Sequence, residues 1–113
     1  MNDIGGNTTL LIQKMSGTEK NAIGEDVPAW ADAQEIFGWL DMMGGGTGYT
    51  AYNAKIQEST HVFLADYVPL TEGVKAETCR AIHGGQVYDV TYIDNPMGLN
   101  MQLEIFLKHT GGQ

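Results

Sequence analysis

The sequence predicts a mainly β fold: a small antiparallel barrel or sandwich of about six strands, one long glycine-rich loop and at most a short helix. Three observations lead there. Two alternating apolar runs flank a glycine pair in Arg80-Ala-Ile-His-Gly-Gly-Gln-Val-Tyr-Asp-Val90, and glycine pairs tolerate the positive φ angles of a tight hairpin turn. After Asn95-Pro96 the alternation resumes, with Met101, Leu103, Ile105 and Leu107 on one face and Gln102, Glu104, Phe106 and Lys108 on the other. Turn signals also recur along the whole chain at roughly the 8–12-residue spacing of small all-β domains.

The elements follow in order. Thr8–Met15 is rich in β-formers and reads as a first strand. Ser16–Pro28 is polar and carries Gly17, Gly24 and Pro28, so it reads as a long loop or hairpin excursion, with Trp30–Gln34 a short transition behind it. Glu35–Met42 sets Ile36, Gly38, Leu40 and Met42 against Phe37, Trp39 and Asp41, a second strand; Gly38 weakens the helical alternative. The glycine-rich stretch Gly44–Tyr52 lies within a mobile loop expected over about 43–59, of which Ala51–Ser59 has room for one or two helical turns. Thr60–Val68 is apolar on both faces and reads as a central strand. Pro69–Ala76 is a loop, and Glu77–Ile82 leads into the Gly84-Gly85 hairpin.

Size and charge narrow the function. A chain of 113 residues makes one domain (1–113), with flexible ends expected at about 1–7 and 109–113. No apolar run is long enough to span a bilayer, and the first residues lack the basic and apolar parts of a secretory signal. The single cysteine, Cys79, has no partner within the chain, which favours a reducing compartment. A formal charge of −8 and six scattered Lys and Arg residues argue against a surface that grips phosphate. Acidity of this kind keeps a domain soluble, and it also suits a wall past which DNA slides without sticking.

No catalytic motif stands out. Gly46-Thr-Gly-Tyr-Thr-Ala51 fits the dinucleotide fingerprint with Asp66 downstream, but no amphipathic helix or parallel β-α-β unit follows it. His61, His83 and His109 share no ligand spacing, so a zinc site needs a tertiary coincidence. Cys79 reads as a packed small hydrophobe, and Asp66, Asp89, Asp94 and Glu104 as the solvated face of a sheet. Met15, Met42, Met43, Met97 and Met101 read as core filler, and Trp30 and Trp39 as core or interface anchors. No cofactor or metal is expected, and no enzyme.

The order of features resembles the head closure proteins of tailed bacteriophages, also called head–tail joining or stopper proteins. The resemblance runs from about Thr8 to Lys108 and is carried by the excursion with Gly24-Glu25, Pro28-Ala-Trp30, the glycine-rich gap, His61–Val68, the hairpin Arg80–Val90 and the closing strand Leu103–Lys108. It implies a non-enzymatic virion protein of the neck, assembled in the host cytoplasm. Copies self-associate into a ring, expected as a dodecamer, between portal or adaptor proteins and tail completion or tail proteins, and DNA passes through without specific binding. The loop after the second strand is expected to close the channel; here it maps onto Gly44, Gly45, Gly46, Thr47, Gly48, Tyr49, Tyr52 and Lys55. Trp30, Trp39, Tyr67 and Tyr88 are candidate subunit or partner contacts, and strand edges are expected to pair between neighbours. Two other readings stand beside this one: a different neck component, such as a tail completion or minor capsid protein, and a small binding barrel or orphan enzyme using His83 with a nearby carboxylate.

Overall fold

Six antiparallel strands close on themselves in the computed structural model, which describes residues 4–42 and 58–110. They are β1 (Thr8–Lys20), β2 (Asp26–Met42), β3 (His61–Asp66), β4 (Cys79–His83), β5 (Gln86–Asp94) and β6 (Gln102–His109), and around the barrel they run β1-β2-β3-β6-β5-β4. The described residues contain no α-helix, only one 3-10 turn at Pro96–Gly98. The glycine-rich stretch assigned to channel closure lies outside them.

Alternation explains the core. Leu10 and Ile12 from β1, Ile36 from β2, Phe63 and Ala65 from β3, Ala81 from β4, Val90 from β5, and Leu103, Ile105 and Leu107 from β6 all point inward and are almost wholly buried. β3 is apolar on its outer face too. There Val62 and Leu64 pack with Phe106 and Tyr92 in a second, smaller cluster, so Phe106 is fully buried although it faces away from the barrel axis. A bulge in β5 between Val90 and Tyr92 turns Thr91 inward, where its hydroxyl donates to the Phe106 carbonyl at 3.0 Å.

The hairpin at Gly84-Gly85 forms as expected, with φ of +58° and +79° at the two glycines. The polar excursion takes the hairpin form of its two readings: β1 and β2 stay paired through Lys20 and Asp26, and only Asn21–Glu25 turns. Three expectations change. Met15, Met42, Met97 and Met101 are exposed, Met97 to 89%, because Met15 lies where β1 leaves the barrel, Met42 ends β2, Met97 sits on the 3-10 turn and Met101 precedes β6. β6 begins one residue after Met101, which is why that side chain leaves the buried row. Closure of the barrel also removes free edges from the body, so edge pairing between neighbours is confined to the part of β1 and β2 that extends past β4 and β3.

Residues 4–7 are tied across the outside of β2 and β3. Ile4 and Gly5 donate backbone N–H groups to the two Asp66 carboxylate oxygens at 2.9 and 3.1 Å, the Trp39 indole donates to the Ile4 carbonyl at 2.7 Å, and Asn7 N–H donates to the Gly38 carbonyl. Asp66, read from sequence as a solvated carboxylate, is the clamp for this strap.

Candidate functional site

The most distinctive features of the described surface are projecting and apolar parts. The largest projection is the arm, the free part of the β1–β2 ribbon. Residues 15–26 are exposed without interruption, since the arm has water on both faces and the sequence there never alternates. Its tip is ordered by one side chain. Asn21 Oδ1 accepts the N–H groups of Ile23 and Glu25 at 3.0 and 2.9 Å, and its amide donates to the Glu25 carboxylate at 3.2 Å. The Asn21 N–H donates to the Glu25 carbonyl, and Gly24, at φ +87°, donates to the Asn21 carbonyl. Lys20 and Asp26 form an exposed ion pair at 2.8 Å, a small contribution in water. This scaffold holds Ile23 outward with 79% of its surface free.

Polar contacts anchor the arm's root. The Arg80 guanidinium lies over the Trp30 ring, 4.6 Å from its centroid, and donates through Nε to Gln13 Oε1 at 2.8 Å. Gln13 in turn donates to Asp32. Gln34 bridges to the 69–71 segment, donating to the Pro69 carbonyl and accepting from Thr71 N–H.

At the same end of the barrel lies an open apolar groove of about 430 Å³, lined by Tyr67, Leu70, Val74, Tyr92, Ile93 and Leu103, with Lys75, Ala76 and Asn95 completing it. Met97, Leu99 and Met101 are exposed on the neighbouring turn. A second apolar area, Phe37 (57% exposed) and Trp39 (40%), lies on the outer face of β2, where Trp39 pairs with Leu64 of β3.

The end of the barrel opposite the arm gathers the three histidines. His61 opens β3, His83 closes β4 and His109 closes β6, so antiparallel pairing brings all three to one mouth. The Tyr88 ring packs 5.2 Å from both His61 and His109. Partial burial lowers the His61 pKa below its ordinary 6.5, and the nearby His109 and His83 lower it further. Each ring has a polar partner: Thr60 for His61, Thr8 for His83 and Gln86 for His109. Among the described residues no group of three or more His, Cys, Asp or Glu is placed to hold a metal ion. Met42 ends β2 at this mouth, and Glu58 stands ahead of β3 there. β2 and β3 pair directly and antiparallel, which is not the parallel unit that a dinucleotide fingerprint serves.

The sequence-named contact residues therefore scatter. Trp39 is exposed under the N-terminal strap, Trp30 is half-buried beneath Arg80, Tyr67 lines the groove, and Tyr88 is buried, offering no surface on the single subunit. Gly44, Gly45, Gly46, Thr47, Gly48, Tyr49, Tyr52 and Lys55 lie outside the described residues. Sequence reading missed the groove, whose lining comes from three stretches far apart in the chain, 67–76, 92–95 and Leu103. It also missed the tip, although Asn21 two residues before Ile23 and four before Glu25 is a turn signal.

Comparison with known proteins adds the family. Solved structures share the fold: among them, protein SF1141 from Shigella flexneri 2a, in solution, is 18% identical over 100% of both chains with a TM-score of 0.66. A chain from the virion of a native gene transfer agent particle is 13% identical over 92% of this chain and 94% of that one, with a TM-score of 0.52. No curated protein matches the chain. A family model described as phage head completion protein matches residues 1–110, so this edge-free barrel with its arm belongs to the phage head completion protein family, non-enzymatic structural components of the virion.

Proposed function

We propose that this protein is a ring-forming connector of the phage neck, seated between portal or adaptor and tail, which closes the channel over packaged DNA and presents the surface on which the tail docks. One observation carries the reading beyond family membership: exposed apolar side chains stand at both ends of the barrel. Ile23, Met97, Leu99 and Met101 belong to the arm end and Met42 to the histidine end, while Phe37 and Trp39 add apolar area to the outer wall of β2. A subunit that joins two different bodies needs an interface at each end, and exposed apolar area supplies it.

The closing part is assigned to residues 44–52. Its glycines permit large changes of backbone angle, Tyr49 and Tyr52 supply area to pack against symmetry mates, and Met42 and Glu58 on either side of it lie at one mouth of the barrel. The formal charge of −8 lets DNA pass without adhesion. Deleting residues 44–52 is expected to leave the urea midpoint of the purified subunit unchanged while particles assembled with it lose their DNA. DNA retained at the wild-type level, with tails failing to join, would replace the closing role by that of a tail-docking component.

A further inference from the structure

Two hydrogen-bonded turns present exposed apolar side chains, the 95–100 turn with Met97 and Leu99 and the arm tip with Ile23, and of these Ile23 stands at the end of the projecting ribbon. Asn21 closes the tip turn with three bonds, so Ile23 is held outward before any partner arrives, and little ordering entropy remains to be lost on docking. An isolated two-stranded ribbon is marginal in water, so the arm gains most from a surface that receives it.

The chain carries such a surface. The groove between Tyr67, Leu70, Val74, Tyr92 and Leu103 is open and apolar, and its volume of about 430 Å³ admits a branched aliphatic side chain with its flanking backbone. Charge also matches. The tip carries Glu19, Glu25 and Asp26 against Lys20, three negative and one positive, a net of −2, and Lys75 is the charged residue among those lining the groove. The arm points away from its own barrel, so the groove it meets belongs to another molecule.

We infer that Ile23 at the arm tip of one copy docks into the groove of a second copy, a head-to-tail contact that repeats around the ring. This rests on the ring reading above. Knob and groove are different patches of one surface, so the contact is heterologous and closes only when the rotation per subunit divides a full turn.

Disulfide trapping in the full-length chain tests it. An Ile23→Cys chain is mixed with a Leu70→Cys chain under mild oxidation, with the native Cys79 buried in both. The expected product is a one-to-one dimer, at least tenfold above either chain alone and above an Ile23→Cys and Met97→Cys mixture. A chain carrying both cysteines forms a ladder of higher species. Ile23→Asp, at an exposed position that leaves folding untouched, is expected to weaken self-association at least tenfold by sedimentation equilibrium. Trapping no better than the Met97 control overturns the docking. If rings nevertheless persist on particles with Ile23→Asp, the ring reading survives and only the docking falls. If wild-type copies form no ring on particles, both fall.

Discussion

The Arg80 guanidinium and the Trp30 indole stack with 4.6 Å between charge and ring centroid, and the same guanidinium donates to Gln13. One β4 side chain thereby ties β1 to β2 where the ribbon leaves the barrel. Arg80→Ala is expected to lower stability by about 1–2 kcal/mol, from one cation–π contact and one charge-assisted hydrogen bond. Arg80→Lys recovers only part, since an ammonium lacks the planar fork that serves both partners. Urea melts read the stability, and limited proteolysis reads the arm; unchanged cleavage within residues 16–28 would show that the stack does not hold the root.

Gly38 has no room for a methyl group: a β-carbon there meets the Leu64 carbonyl, the Phe63 ring at 2.8 Å and Ala65 at 3.0 Å. Gly38→Ala is therefore expected to cost about 1–3 kcal/mol or more as the sheet shifts. Gly85→Ala meets open space and carries only backbone strain at φ +79°, about 1–2 kcal/mol. Equal melting temperatures for the two variants would remove the packing argument.

His61 gives stability a pH dependence of definite sign. Its folded pKa lies below the ordinary 6.5, so between those two values the unfolded chain holds more protons than the folded one. Stability from this group is complete above 6.5 and declines as pH falls through that value toward the folded pKa. His61→Phe is expected to flatten the fall in melting temperature between about pH 7 and 5. An unchanged slope would place the titration elsewhere.

Glu104 has the opposite sign. Partial burial raises its pKa, the bond from Gln102 opposes that shift, and Asp94 adds to it. The folded state thus binds the proton more tightly, and this contribution is complete below the ordinary 4.5 and is lost as pH rises through the folded value. Glu104→Gln is expected to melt higher than wild type at neutral pH and to converge with it in acid. A lower neutral-pH melting temperature would contradict this.

What sequence could reveal followed how local each cause is. The Gly84-Gly85 turn was legible because positive φ is a property of those two residues, and the inward rows of β3 and β6 because period-2 alternation marks a half-buried strand. The arm was legible only as an excursion, loop or hairpin, because a ribbon wet on both faces leaves no alternation to read. The methionines misled because side-chain polarity says nothing about where a strand ends. The histidine mouth was hidden by distance along the chain: closure brings Thr8 to His83, 75 residues apart, and no spacing rule reaches that far. Groove and tip needed the same closure before either became a surface.

A barrel without edges also governs what the subunit does before it is used. Open sheets template their own stacking, and crowded copies of such a protein risk fibres. Here the body offers nothing to extend, and the ribbon that leaves it is guarded by Glu19, Lys20 and Asp26 and interrupted by Pro28. Copies of the subunit can therefore be crowded together without strand-on-strand stacking between their barrels.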